Sequence, residues 1–358
     1  MNGFLHLSNG KVREGELFGA LDTPSECLEL VFSTGMTGYV ESLTDPSFAG
    51  QILVMTYPLI GNYGVPREKK TKNGVYLNRE SKKMWVGGLV VSDYRDDYSH
   101  DDAAMSLSAW MMQEGIIGIS GIDTRELTGF IREGKVKSAV ISSQKSVKSF
   151  TVEPRHWVSA VSSHAAKRYA CDSTRKTGIH LALIDCGVKH GILRSLLARG
   201  YDVTVVPWDY DPLKISNIDG VVCSNGPSDP KECGKTIQHI RKVVDMGVPF
   251  FGVCLGHQLL SLAIGADTYK MPYGHRGLNQ PCVNLQTGKA YLTSQNHGYA
   301  VLADLLPKGY TQWFINANDK TNEGIRSESG TVASVQFHPE GNPGPFDSET
   351  LFDFFKTI

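Results

Sequence analysis

The 358-residue sequence predicts an α/β protein in two domains. A smaller α+β domain is expected over 1–150, a linker over 151–178, and an α/β domain with a mostly parallel sheet over 179–358. Three observations carry this reading. The length exceeds what one hydrophobic core usually fills. Strand-like and helix-like runs mix irregularly in the first part, and alternate regularly after Gly178. Between them, from Ser142 to Gly178, lies a polar stretch rich in Ser and Lys with little periodicity.

In the first part, Leu28-Glu29-Leu30-Val31-Phe32 and the run Gln51 to Tyr57 read as strands, bounded by Thr34-Gly35 and Pro58. The run Ala103 to Met112 reads as a helix that begins after Asp101-Asp102 and ends before Gly115. In the second part, the run Ile179 to Asp185 is a buried-type strand, and the run Ile192 to Arg199 is helical and stops at Gly200. Strands Val203 to Val206 and Ile218 to Ser224 follow, then a helix from Lys231 to Met246 and the strand ending Phe251-Gly252-Val253. Such repetition implies crossover units around parallel strands, with helices on both faces.

Composition excludes several classes. Hydrophobic residues make up 41% and charged residues 20%, as in proteins with a sizeable core. A net charge of -1 gives no electrostatic reason to bind nucleic acid or an anionic membrane. No apolar run approaches the roughly 20 residues of a membrane helix, and the start, Met1-Asn2-Gly3-Phe4, has no secretory pattern. The seven cysteines are odd in number and form no C-x-x-C, which suits reduced thiols in a cytoplasmic protein.

The most informative segment is Phe251-Gly252-Val253-Cys254-Leu255-Gly256-His257-Gln258, where a strand runs straight into a helix. This is the layout of a nucleophile elbow. Gly252 and Gly256 let strand and helix pass closely and permit unusual backbone angles at the turn. The helix start favours a thiolate at Cys254. The alternative is that Cys254 is a small buried hydrophobe, as many cysteines are; the G-x-C-x-G frame favours the nucleophile. A nucleophile needs a base, and the base an orienting group. The run Thr331 to Phe337 reads as a strand that delivers His338-Pro339-Glu340, with His338 to take the thiol proton and Glu340 to hold its ring. A lone His is more often structural, so this pair gains weight from the elbow in the same domain. The loop Ser224-Asn225-Gly226-Pro227-Ser228-Asp229-Pro230 is either an ordinary turn or a source of N–H donors for an oxyanion, beside that of Leu255.

Together these segments resemble the class I (triad) glutamine amidotransferase domain. The resemblance implies that glutamine forms a thioester on Cys254, releasing ammonia and then glutamate, with Gln258 touching the substrate. The first part is similar to the amino-terminal domain of carbamoyl-phosphate synthetase small subunits, through Thr37-Gly38-Tyr39-Val40-Glu41-Ser42-Leu43-Thr44-Asp45-Pro46-Ser47, Tyr57-Pro58-Leu59-Ile60-Gly61-Asn62-Tyr63-Gly64 and the run Gly121 to Thr128. Asp185-Cys186-Gly187-Val188-Lys189 and Ser294-Gln295-Asn296-His297-Gly298-Tyr299-Ala300 continue the match. It implies that Ser47, Gly226, Ser228, Leu255, Gln258, Asn296, Gly298 and Tyr299 meet glutamine. It further implies a separate large subunit that makes carbamoyl phosphate from bicarbonate and ATP, for pyrimidine or arginine synthesis. This chain then needs no cofactor or metal, and ATP and Mg2+ belong to the partner.

Two departures stand out against the family pattern: Ser228 replaces the second glycine of Asn-Gly-Pro-Gly-Asp-Pro, and Cys186 replaces an aromatic residue. Serine suits position 228 if φ there is negative. Gly234-Lys235-Thr236 looks like the end of a phosphate loop but lacks its first glycine. His257, His275 and His297 show no metal-ligand spacing and read as structural. Three rival readings remain: the glutaminase of an anthranilate or guanylate synthase, a free-standing cysteine hydrolase, and a non-catalytic scaffold. The first half argues against the first, Gln258 and Asn296 to Gly298 against the second, and an intact Cys254, His338 and Glu340 against the third.

Overall fold

The computed structural model describes residues 1–147, 150–171 and 176–358. The chain divides into two compact units, Met1–Lys69 with Asn78–Arg155 and Lys70–Leu77 with His156–Ile358. The expected linker at 151–178 is therefore corrected. Its helix Trp157–Val161 and edge strand Lys167–Tyr169 belong to the second unit, while 172–175 lie outside the described residues. The strand pairs with Asp202–Pro207, which gives its polar residues a structural use that periodicity does not reveal.

In the first unit, seven strands close into a barrel in the order Asn2–Leu7, Ser138–Ser142, Leu28–Ser33, Gln51–Met55, Gly88–Val90, Ile117–Ser120, Val12–Gly19. Closure leaves the barrel itself without a sheet edge and buries Leu53, Leu89 and Val31 with Trp110 and Met111. The expected helix from Ala103 begins later. Ala103–Met105 is a short strand, and the helix Leu107–Glu114 starts where the Ser106 hydroxyl accepts from the Ala109 N–H at 3.2 Å.

The second unit is built on a sheet in the order Lys167–Tyr169, Asp202–Pro207, His180–Asp185, Gly220–Cys223, Phe250–Val253, Val332–Val335, Asn322–Ser327, Tyr310–Asn316, Thr268–Asn284, Ala290–Val301. The run from Asp202–Pro207 to Val332–Val335 is parallel. Every other pairing is antiparallel, so the expected mostly parallel sheet is half of what forms. Successive residues of the central strands serve opposite faces. Leu181, Leu183 and Phe251 pack with Ile192, Leu196 and Phe352. Ala182, Ile184 and Phe250 pack with Ile240, Val243 and Leu259 on the other side. This double burial explains why these strands read as continuous apolar runs. Among the described residues, no helix is long and apolar enough to cross a membrane.

Candidate active site

Cys254 ends the strand Phe250–Val253 and opens the helix Leu255–Ala263, at φ 55° and ψ -102°. A non-glycine residue in such a conformation costs of order 1–3 kcal/mol. Its N–H donates to the Val335 carbonyl at 2.9 Å, and its carbonyl accepts from the N–H groups of His257 and Gln258 at 3.1 and 3.3 Å. The glycines act by close approach. A Cβ on Gly252 would lie 2.5 Å from the Gly256 oxygen, and one on Gly256 would lie 2.2 Å from the Cys223 oxygen. Neither has a positive φ, so the unusual angles expected of the glycines fall on Cys254 itself.

The strand Val332–Val335 runs beside the nucleophile strand and delivers His338 and Glu340, both buried. His338 Nδ1 is 2.7 Å from Glu340 Oε1, and Lys189 Nζ reaches the same oxygen at 2.9 Å. Burial alone would push the His338 imidazole down; the Glu340 carboxylate overrides it, and Cys254 adds in the same direction, so it is pushed up to about 10. Burial likewise works against ionised Glu340, but Lys189 and then His338 hold its carboxyl well below the usual carboxylate range. Among the described residues, His338 Nε2 is buried with no hydrogen-bond partner. A proton that His338 takes from a neighbouring thiol is thus held firmly and can then be supplied to a leaving nitrogen.

The sulfur of Cys254 donates to the Asn296 carbonyl at 3.6 Å and accepts from Gln336 Nε2 at 3.7 Å. Gln258 Nε2 donates both to the Tyr299 carbonyl and to Gln336 Oε1, each at 3.0 Å. In the first turn of the helix, the Gly256 N–H is taken by Ser224 and those of His257 and Gln258 by Cys254. The Leu255 N–H, first of the helix, has no intrahelical acceptor and suits a developing oxyanion. A Cβ on Gly226 would lie 2.1 Å from the Cys186 oxygen, so the loop after Gly220–Cys223 packs closely on that after His180–Asp185. Asn225 Oδ1 accepts from the Lys189 N–H at 3.1 Å, tying that loop to the lysine behind the pair.

Among the expected residues, Cys254, His338, Glu340, Leu255, Gln258, Asn296 and Tyr299 lie in one connected region, with Gly298 between the last two. Ser228 differs from expectation: its φ is 75°, the region that favours glycine. Ser47 belongs to the first unit, on the turn Pro46–Phe48, where its N–H donates to Asp45 Oδ1 at 2.9 Å. Two residues escaped the sequence reading, Lys189 and Gln336. For Gln336 a signal existed, since it stands two positions before His338 and strand residues so spaced share a face.

The three histidines read as structural separate here. His257 is buried, donates to or accepts from Ser334 Oγ at 2.9 Å, and burial pushes it down to about 3. His275, His297 and Glu323 come together, with ligand-capable atoms within 4.8 Å of one another, a grouping that spacing in sequence conceals. Both nitrogens of His297 are engaged, by the Tyr299 carbonyl at 2.8 Å and Gln295 Oε1 at 2.9 Å, and His275 Nε2 is 2.8 Å from Asp319 Oδ2. A cation would have to displace one of these. Gly234, Lys235 and Thr236 open the helix Gly234–Asp245, where the Thr236 hydroxyl donates to the Trp208 carbonyl at 2.7 Å.

A strand-to-helix cysteine beside a buried His–Glu pair on a doubly wound sheet defines a class of cysteine-dependent amidotransferase. The glutamine amidotransferase class-I family model matches residues 182–358, and that of the carbamoyl-phosphate synthase small chain, CPSase domain, matches residues 5–141. The multifunctional protein pyr1-3 of Dictyostelium discoideum is 48% identical over 372 residues, covering 99% of this chain and 17% of that protein. The carbamoyl phosphate synthase arginine-specific small chain of Emericella nidulans is 45% identical, covering 98% of this chain and 78% of that one. The multifunctional protein CAD of Squalus acanthias is 46% identical, covering 98% of this chain and 16% of that protein. The chain belongs to the carbamoyl-phosphate synthase small chain family.

Proposed function

We propose that this chain hydrolyses glutamine at Cys254 and passes the ammonia to a large subunit that makes carbamoyl phosphate from bicarbonate and ATP. The proton of the Cys254 thiol moves to His338, and the sulfur attacks the side-chain carbonyl carbon of glutamine. The new C–S bond places negative charge on oxygen, which the Leu255 N–H and the loop at Gly226 are placed to receive. His338 then protonates the nitrogen, the C–N bond breaks, and ammonia leaves. Water, giving a proton to His338, attacks the thioester; the C–S bond breaks and glutamate departs. Glu340 orients the imidazole and stabilises its charged form, while Lys189, whose own charge opposes that form, keeps Glu340 ionised.

In this reading Ser47, Gly226, Ser228, Gln258, Asn296, Gly298 and Tyr299 bind glutamine. The chain is cytoplasmic and needs no metal, with ATP and Mg2+ held by the partner. The observation that carries the reading is the His338–Glu340 bond of 2.7 Å in the same domain as a cysteine held at φ 55°. The test is product formation by the complex with Cys254→Ala: synthesis from glutamine should vanish while synthesis from ammonia persists. Retained glutamine-dependent synthesis would overturn the reading. Ser47→Ala in the same assay should raise the apparent KM for glutamine.

A further inference from the structure

The sulfur of Cys254 has a neighbour that the reaction above does not use. Gln336 is fully buried, and its Nε2 lies 3.7 Å from that sulfur. We infer that Gln336 is a further catalytic residue, donating an N–H to the Cys254 sulfur as it attacks and again as it leaves. This inference rests on the glutaminase reading for its place in the reaction.

The orientation of the Gln336 amide follows from its neighbours. The Tyr299 carbonyl can only accept, so Gln258 must turn its amide nitrogen toward it, at 3.0 Å. The same nitrogen donates to Gln336, also at 3.0 Å, so Gln336 must answer with its oxygen. Its NH2 is left facing sulfur. The reverse orientation would set nitrogen against nitrogen and oxygen lone pairs against sulfur. Tyr299 is itself held, its carbonyl accepting from His297 Nδ1 at 2.8 Å. The backbone of Gln336 is pinned by its N–H to the Glu323 carbonyl at 2.9 Å.

The second contact of the sulfur shows why this donor matters. The thiol donates to the Asn296 carbonyl at 3.6 Å, a bond that ends when the proton passes to His338. The Gln336 bond needs no proton from sulfur, and it strengthens once sulfur is charged, because charge-assisted bonds are about twice as strong as neutral ones. When the thioester breaks, the C–S electron pair returns to sulfur and meets the same donor. Gln258 then positions Gln336, which joins the glutamine-binding segment to the nucleophile.

The experiment measures alkylation of Cys254 in the full chain by iodoacetamide at pH 7, read on the Cys254 peptide by mass spectrometry. Gln336→Leu should slow alkylation about tenfold, and Gln336→Glu more, since a carboxylate repels the thiolate. Alkylation of Gln336→Leu at the wild-type rate overturns the inference. Should that variant fail to fold, Gln258→Met and Gln336→Asn replace it, with the same direction expected and wild-type rates in both overturning it. Alkylation needs no glutamine, so the two proposals fail separately. A wild-type chain that releases no glutamate sinks the function, while slowed alkylation still supports Gln336.

Discussion

His338 Nδ1 and Glu340 Oε1 stand 2.7 Å apart, and that single carboxylate oxygen also holds Lys189 Nζ at 2.9 Å. Two cations therefore share one buried anion. Taken singly, any of the three charges would be expelled from such a site at a cost of several kcal/mol. Held together, they favour the charged form of the imidazole, and among the described residues its other nitrogen has no hydrogen-bond partner.

One consequence is a pH dependence of stability. The folded chain raises His338 from an ordinary 6.5 to about 10. The folded state thus binds this proton more tightly than the unfolded one, and the stabilisation is full below about pH 6.5 and lost as pH rises toward 10. The denaturation midpoint of wild type should exceed that of His338→Gln most clearly at pH 6, with the difference shrinking by pH 10. A difference that stays constant across this range would contradict the charged imidazole.

Strain at the nucleophile gives a second expectation. Cys254 sits at φ 55°, and glycine carries no penalty there. Cys254→Gly should unfold at a higher temperature than Cys254→Ala, by a difference of about 1 kcal/mol, while neither hydrolyses glutamine. Equal thermal stability of the two variants would mean that the elbow stores no strain in solution.

Ser228 gives the third. At φ 75° a serine costs roughly 1–2 kcal/mol. Ser228→Gly should therefore raise the melting temperature by about 2 °C and retain glutamate release. A lower melting temperature would show that the serine side chain makes a compensating contact.

The parts of the site legible in advance were those written in local spacing. Gly252, Cys254 and Gly256 define a close strand-to-helix crossing within five positions, and Pro339 sets His338 and Glu340 two positions apart at a strand end. The parallel core was also readable, because its strands are buried on both faces and appear as continuous apolar runs. The antiparallel half was not, since Thr268–Asn284 carries glycines, prolines and charges whose alternation is broken by register shifts. The barrel escaped for a related reason: pairing Asn2–Leu7 with Ser138–Ser142 joins chain segments that share no local signal.

By itself, then, the sequence determined the strand-to-helix turn at Cys254, the neighbouring His338 and Glu340, and the doubly wound frame, because each is a pattern of neighbours along the chain. Only the tertiary structure decided that Lys189 stands behind Glu340, that Gln336 turns its amide to the sulfur, and that His275 meets Glu323. Those contacts depend on strand order and register. Both arise from packing the whole sheet, where a shift of one residue would turn strand residues such as His275 and Glu323 to the opposite face.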